Sequence, residues 1–197
     1  MPYLALNIDM RKRTALIVGG GEVAARKLQV LREAGAGVRV VAPLVIPGIR
    51  EQEASGAVTV RIGRYETADL DGIALVVAAT DDAAVNRKVA LDAGQKGILV
   101  TVADQPEAGD CHFPATLRRG GLEIAVSTGG RCPALAVEVR DAIAGMIGND
   151  YADLVEELAA EREKLLTDGN DTTYNKQVLR AMARRLIAEL PERKDIS

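Results

Sequence analysis

Aromatic residues are scarce in this chain: phenylalanine, tyrosine and tryptophan together make up 3% of it, and tryptophan is absent. Because 48% of the residues are hydrophobic all the same, the core must be aliphatic, which is typical of parallel sheets covered by helices on both faces. Neither positive nor negative charge is in large excess either. The formal net charge of −3 argues against general nucleic-acid binding.

Long apolar runs are lacking as well, so no membrane-spanning segment and no membrane partner are expected. The first residues do not have the basic-then-apolar pattern of a signal peptide, which favours a cytoplasmic location. The chain has two cysteines, Cys111 and Cys132, and one histidine, His112. Their spacing is not that of a zinc site, so no resident metal is expected, and both thiols are interpreted as reduced packing residues.

A cluster of glycines follows the first strand-like segment of the chain. An apolar run ends at Val18, and Gly19, Gly20 and Gly21 precede an amphipathic helical pattern. Gly19 would allow a sharp turn and Gly21 a close approach of the backbone to phosphates, while Ala24 allows tight helix–strand packing. The same residues could form a glycine-rich turn that binds nothing, but the strand before it and the helix after it favour nucleotide binding.

Strand-like and helix-like segments alternate through the first two thirds of the chain, which predicts an α/β protein with a Rossmann-type parallel sheet. After about residue 150 the strand signals stop, and two amphipathic helices are predicted. The predicted strands lie near residues 15–18, 38–42, 58–62, 75–79, 99–102 and 122–126, and the predicted helices of the α/β part near 23–33, 46–55, 84–93 and 133–147.

Two later motifs make the comparison with known families specific. They are residues 79–86 (ATDDAAVN) and residues 124–133 (IAVSTGGRCP). With the glycine turn, in this order and spacing, they resemble the dehydrogenase/ferrochelatase domain found at the N-terminus of siroheme synthases and its free-standing relatives. The resemblance covers almost the whole chain.

The resemblance implies NAD-dependent oxidation of precorrin-2 to sirohydrochlorin and, in some members, insertion of ferrous iron as a second substrate to give siroheme. It also implies an intertwined homodimer. Residues 1–112 would then form the Rossmann domain, residues 113–148 a dimerisation and substrate-site segment, and residues 149–197 a small C-terminal helical domain. Two alternatives remain open: another NAD(P)-dependent oxidoreductase on a similar scaffold, and a non-catalytic NAD(H)-sensing module.

Several residues are expected to hold the cofactor. The second predicted strand ends in Ala42 and Pro43, without the acidic residue that usually binds the ribose, so the residues themselves separate NAD from NADP poorly and the resemblance favours NAD. Of the residues after the fourth strand, Asp82 is interpreted as a helix N-cap and Asn86 as support for the local fold. Matched to the family, the cofactor-binding candidates are Gly19, Gly21, Glu22, Val23, Pro43 and Leu44, and Thr80 is added from its place at a strand end.

Asp104 follows an apolar strand and matches the catalytic aspartate of the family. A partly desolvated carboxylate at this edge can accept the proton that precorrin-2 loses with its hydride, and the pyrrole protons lost on iron insertion. An aspartate shortly before a proline could also simply form a turn. The family often has Asn-Val-Val-Asp here, whereas this chain has Thr101-Val102-Ala103-Asp104.

The macrocycle that the resemblance implies carries eight carboxylates, so a slightly acidic protein needs local cations to bind it. Arg131 adjoins the glycine turn of the third motif, whose N–H groups can bind carboxylates or simply begin a capped helix, and the two roles can coexist. His112 could relay a proton or meet iron transiently, and the alternative is an ordinary loop or interface histidine. The substrate-binding candidates are Thr128, Gly129, Gly130, Arg131 and His112.

Overall fold

The computed structural model describes residues 3–167 and 172–190, and the chain divides into two compact units, Met1–Phe113 and Pro114–Ser197. The first unit contains a parallel sheet and the second a hairpin with helices. The three functional segments implied by the resemblance, 1–112, 113–148 and 149–197, stay a prediction.

The first unit is a five-stranded sheet in the order β3-β2-β1-β4-β5, and every neighbouring pair is parallel. The chain builds outward from β1 in one direction and then returns to add β4 and β5 on the other side, so the strand order reverses next to β1. This confirms the Rossmann-type α/β fold. The elements are β1 (Thr14–Val18), α1 (Glu22–Glu33), β2 (Gly37–Ala42), α2 (Pro47–Ala54), β3 (Thr59–Ile62), β4 (Ile73–Ala78), α3 (Ala83–Gln95) and β5 (Leu99–Val102), with short 3-10 turns at Thr67–Leu70 and Pro106–Ala108.

Aliphatic side chains fill both faces of this sheet. In β1, Ala15 and Ile17 pack in one cluster with Leu28 of α1, and Leu16 and Val18 pack in a second cluster on the opposite face, which includes residues of α3. All four β1 residues are buried, as expected for a central strand covered on both faces. The scarcity of aromatic residues is therefore accommodated by a core of valine, leucine, isoleucine and alanine.

The second unit begins with an antiparallel hairpin and continues as helices. Its elements are β6 (Ala115–Arg119), β7 (Leu122–Val126), α4 (Pro133–Met146), α5 (Asp150–Thr167) and α6 (Thr172–Glu189). The two C-terminal helices are confirmed. The placement of residues 122–126 in the parallel sheet is wrong, because β7 pairs antiparallel with β6, a strand that the sequence pattern did not predict. None of the described helices is long and apolar enough to cross a membrane.

Candidate functional site

The carboxyl ends of the parallel strands bring several of the candidate residues to one edge of the first unit. Backbone hydrogen bonds join the segments that leave these strands. The Gly19 N–H donates to the carbonyl oxygen of Val41 at 2.9 Å, and the Ala79 N–H donates to the carbonyl oxygen of Val18 at 2.8 Å. Ligands of open α/β sheets bind outside this edge, where the strand order reverses. The candidates placed along it are Gly19, Gly21, Glu22, Val23, Pro43, Leu44, Thr80 and Asp104.

Two glycines of the first turn are required by close contacts with neighbouring backbone. Gly19 has φ of +131°, and a Cβ atom there would stand 2.2 Å from the carbonyl oxygen of Ala79. A Cβ atom on Gly20 would stand 2.0 Å from the carbonyl oxygen of Leu44. The Gly20 carbonyl also accepts a hydrogen bond of 2.9 Å from the Ile46 N–H. Gly20 was not among the predicted site residues, although three consecutive glycines were a visible signal.

Gly21 has a different environment from its two neighbours. It is the N-cap of α1, its φ is −93°, no side chain caps the helix, and a Cβ atom on it would meet nothing within 4 Å. Among the described residues, no side chain accepts a hydrogen bond from the N–H groups of the first helical turn, which include those of Glu22 and Val23. These groups lie at the positive end of the helix dipole. The open space and these donors fit a pyrophosphate. Glu22 would contribute through its N–H, because its exposed carboxylate repels phosphate.

The end of β2 contributes backbone and apolar atoms to this edge. Pro43 and Leu44 lie in an exposed bend, and the Ala42 carbonyl accepts a hydrogen bond of 3.1 Å from the Gly63 N–H. The bend offers no carboxylate to ribose hydroxyls. Contacts with the ribose at Pro43 and Leu44 would therefore come from the backbone and from van der Waals packing.

Asn86 links two of the candidate residues. Its carboxamide oxygen accepts from the Thr80 N–H at 3.1 Å and from the Thr80 hydroxyl at 2.7 Å. Its Nδ2 donates to the Thr80 carbonyl at 2.9 Å and to Oδ1 of Asp104 at 2.9 Å. The local structural role predicted for Asn86 is present, and the contact with Asp104 is additional to it. Thr80 and Asp104 are thus brought together by a third side chain.

Asp82 begins α3. Its Oδ1 accepts hydrogen bonds from the N–H groups of Ala84 at 2.8 Å and Val85 at 3.3 Å. The carboxylate satisfies donors of the first turn that have no partner within the helix. The interpretation of Asp82 as an N-cap is therefore confirmed.

His112 and Cys111 lie at the end of the first unit. The Nε2 atom of His112 is buried without a hydrogen-bond partner among the described residues, and its ring packs edge-on against Tyr3 with 4.3 Å between centroids. The thiol of Cys111 lies 3.6 Å from the Val100 carbonyl, and burial, aided by the charge of Asp110, raises the pKa of Cys111 to about 11. Cys111 is thus a protonated packing residue at neutral pH. The substrate contact expected of His112 stays a prediction.

The remaining candidates lie in the second unit, in the turn between β7 and α4. The Ser127 hydroxyl accepts from the Gly129 N–H at 3.1 Å, and the Thr128 hydroxyl accepts from the Cys132 N–H at 3.0 Å. Gly129 and Gly130 have φ of +62° and +79°. These hydroxyl contacts order the turn before α4, whose N-cap, Cys132, makes no side-chain capping hydrogen bond, and Arg131 beside it is exposed. Its expected role in binding carboxylates is compatible with this geometry.

Metal-ligating side chains are not gathered anywhere in residues 3–167 and 172–190. No group of three or more His, Cys, Asp or Glu residues in these ranges could hold a metal ion.

Comparisons with known proteins agree with the fold and the motifs. A family described as "Putative NAD(P)-binding" matches residues 6–115. A siroheme synthase of Chromobacterium violaceum is 44% identical over 154 residues, which are 78% of this chain and 33% of that protein. A siroheme synthase of Azotobacter vinelandii is 41% identical over 171 residues, 85% of this chain and 37% of that protein. The chain therefore spans about a third of the length of these curated relatives.

A solved structure extends the likeness to nearly the whole chain. SirC, described as a precorrin-2 dehydrogenase, superposes with a TM-score of 0.76 at 26% identity, and the match covers 95% of this chain and 98% of SirC. Both units of the chain are included in a match of this extent.

Proposed function

The chain belongs to the NAD(P)-binding family and, within it, to the precorrin-2 dehydrogenase group that its motifs indicated, and from this membership we propose that it oxidises precorrin-2 to sirohydrochlorin with NAD as the acceptor. One observation carries the proposal: the match to SirC covers both proteins almost completely. The match covers only 33% and 37% of the two siroheme synthases, so they support the family more directly than the activity.

The glycine turn is the cofactor site in this proposal. The N–H groups at the start of α1 bind the pyrophosphate, and the open space at Gly21 admits it to the backbone. Pro43 and Leu44 contact the adenosine ribose through backbone and apolar atoms, and Thr80 follows β4, which pairs with β1 on the other side of the glycine turn. Bound NAD would supply the acceptor for the hydride that leaves a carbon of the substrate.

Asp104 is the general base of the proposed reaction. Oxidation of precorrin-2 to sirohydrochlorin removes two hydrogen atoms, one as hydride and one as a proton, and an acceptor for that proton assists the step. Asp104 is exposed at the carboxyl edge of the sheet, rather than partly desolvated as expected from the sequence, and its Oδ1 accepts a hydrogen bond from Asn86. The second oxygen accepts no hydrogen bond within residues 3–167 and 172–190, which leaves it available for the proton.

The substrate is a polyanion and requires donors and cations. Thr128, Gly129, Gly130 and Arg131 are proposed to bind its carboxylates through backbone N–H groups and the guanidinium, which pairs with carboxylates in a bidentate manner. Arg131 forms no ion pair with another described residue, so its charge is available. His112 is proposed as a further substrate contact, since its Nε2 lacks a partner among the described residues.

A homodimer is the proposed assembly, with the segment 113–148 as its interface. Helix α4 supports this, because Leu135, Val139 and Met146 are exposed along it at spacings of four and seven residues.

Iron insertion is proposed as a second activity of the same protein. Ferrous iron would enter as a substrate and be held by the macrocycle nitrogens, and Asp104 would accept the pyrrole protons that are released.

An anaerobic assay tests the proposal. Purified protein is mixed with precorrin-2 and NAD, and formation of NADH and sirohydrochlorin is followed by absorbance. We expect one NADH for each sirohydrochlorin, and a kcat lower by roughly a hundredfold or more in Asp104→Asn, which keeps the shape of the side chain but cannot accept the proton. Ferrous iron is then added, and the siroheme spectrum reports the second activity.

The other outcomes separate the alternatives. A small alcohol or acid that is oxidised in place of precorrin-2 would identify a different oxidoreductase. Tight NADH binding without turnover of any substrate would identify a sensing module. Equal activity with NADP would contradict the proposed preference for NAD.

A further inference from the structure

The contact between Asn86 and Asp104 is the feature with the largest consequence for this site. Asn86 lies in the first turn of α3 and is 1% exposed, whereas Asp104 follows β5 and is exposed. The two residues are 18 positions apart in sequence, and a hydrogen bond of 2.9 Å joins Nδ2 of Asn86 to Oδ1 of Asp104. A buried amide thus holds a carboxylate that would otherwise rotate freely in solvent.

The orientation of the Asn86 amide is determined by its partners. The Thr80 N–H can only donate, so the atom that it contacts at 3.1 Å must be the carboxamide oxygen. The NH₂ group must then face the Thr80 carbonyl and Asp104, where both atoms are acceptors. All four hydrogen-bonding positions of the amide are filled, so the side chain has no second arrangement of comparable energy.

The same amide fixes the neighbouring strand end. The Thr80 hydroxyl is 2.7 Å from the Asn86 oxygen, and it accepts from the Asp82 N–H at 3.2 Å. The residue before it, Ala79, is in contact with the glycine turn, because its carbonyl oxygen occupies the place of a Cβ atom on Gly19. Asn86 therefore connects the proposed base to the backbone that borders the proposed cofactor site.

We infer that Asn86 is a positioning residue for the oxidation: it holds the Asp104 carboxylate by one oxygen, at a fixed place relative to the cofactor edge, and leaves the other oxygen free to take the substrate proton. This inference rests on the proposed function, because it requires Asp104 to be the base. Small misplacements of a reacting group have large effects on rate, so loss of this contact lowers turnover even where the fold is kept.

The test is a double-mutant cycle on the kinetics of the full chain. The variants are Asn86→Ala, Asn86→Ser, Asp104→Ala and the pair Asn86→Ala with Asp104→Ala. Asn86→Ser keeps a small hydroxyl near Thr80 but cannot reach Asp104. Asp82→Ala is the matched control, because it weakens the start of the same helix without removing the donor to Asp104. Precorrin-2 oxidation, NADH affinity by fluorescence, and urea unfolding are measured for each.

A positioning role predicts a specific pattern. Asn86→Ala and Asn86→Ser lower kcat by about tenfold to a hundredfold, while the KM for NAD and the NADH affinity change little. Asp82→Ala loses stability but keeps kcat near that of the unaltered protein. The pair is no slower than Asp104→Ala alone, because the contact is already absent in that background.

Four results would overturn the inference. The first is a kcat of the double variant that is reduced by the product of the two single reductions, and the second is a reduction of kcat in Asp82→Ala as large as in the Asn86 variants. The third is unfolding of both Asn86 variants, and the fourth is full activity of either Asn86 variant. Full activity of Asp104→Ala would instead remove the base from the proposed function, and the inference with it. Absence of precorrin-2 oxidation by the unaltered protein would contradict the proposed function itself. Failure of the inference is seen in the Asn86, Asp82 and double variants, and failure of the proposed function is seen in Asp104→Ala or in the unaltered protein.

Discussion

The carbonyl oxygen of Ala79 lies 2.2 Å from the point where Gly19 would carry a Cβ atom. Gly19 belongs to the turn between β1 and α1, and Ala79 to the turn between β4 and α3, so the two turns meet at a position where only hydrogen fits. This contact is at the place where the strand order reverses. The backbone geometry of the proposed cofactor site therefore depends on a glycine that need not contact the cofactor.

Substitution Gly19→Ala is expected to destabilise the fold. The added methyl group overlaps backbone, which cannot move aside as a flexible side chain can, and φ of +131° is unfavourable for alanine. We expect the free energy of unfolding in urea to fall by at least about 2 kcal/mol. Gly48→Ala is the control, because a Cβ atom there meets nothing within 4 Å and the residue lies in α2. Equal stabilities of the two variants would contradict the steric argument.

Substitution Gly21→Ala is expected to leave the stability of the fold nearly unchanged and to weaken NADH binding. Its φ of −93° suits alanine and its Cβ atom would meet no protein atom within 4 Å, so the stability should be nearly unchanged. The methyl group would occupy the space proposed for the pyrophosphate. We expect the Kd for NADH, measured by fluorescence titration, to rise roughly tenfold, which corresponds to about 1.4 kcal/mol. An unchanged Kd would mean that the phosphates bind elsewhere.

The parallel sheet was predictable from the sequence because its strands are short, continuous apolar runs separated by helical patterns. The hairpin was not, and the reason is visible in its composition. Strand β6 has apolar residues only at Ala115 and Leu117 and ends in two arginines, so its signal is weak. The residues of strand β7 alternate between partly buried and exposed, which is typical of an antiparallel strand with one covered face, but its composition shows that alternation only at Glu123.

The candidate site was predictable at the level of residue types but not of contacts. Strand ends and family motifs placed Thr80 and Asp104 at one edge of the sheet, because parallel strands share their carboxyl edge. The amide that joins them belongs to a helix, and no periodicity or spacing reports a hydrogen bond between residues 18 positions apart. Gly20 was missed for a related reason, since its contact with Leu44 arises only when the strands pair.

Cys111 gives a prediction on the pH dependence of stability. Burial raises the pKa of the folded thiol from its ordinary value of 9.0 to about 11, so ionisation favours the unfolded chain. The contribution of Cys111 to stability is complete below pH 9 and is lost as the pH rises towards 11. The difference in unfolding free energy between the unaltered protein and Cys111→Ala should therefore shrink across this interval. It should be constant from about pH 6 to pH 8, and a constant difference up to pH 11 would contradict the raised pKa.

Helix α4 provides the test of the proposed homodimer. Leu135 is 53% exposed and Met146 is 74% exposed, with Val139 between them along the helix, and exposed apolar side chains at such spacings form a continuous surface. The pair Leu135→Asp with Val139→Asp places two like charges on that surface, and burying them in an interface without partners is unfavourable by several kcal/mol. We expect sedimentation velocity to show a dimer for the unaltered protein and a folded monomer for this variant.

The control for α4 is Leu91→Asp. Leu91 lies on α3 in the first unit and is 68% exposed, so the substitution adds one carboxylate, against two in the α4 variant, outside the proposed interface segment. It should leave the dimer intact. If dimerisation completes the substrate site, the monomeric α4 variant will also lose precorrin-2 turnover while it keeps its affinity for NADH, since the glycine turn is contained in the first unit. A monomeric unaltered protein, or a double variant that still dimerises, would show that the surface of α4 has another role.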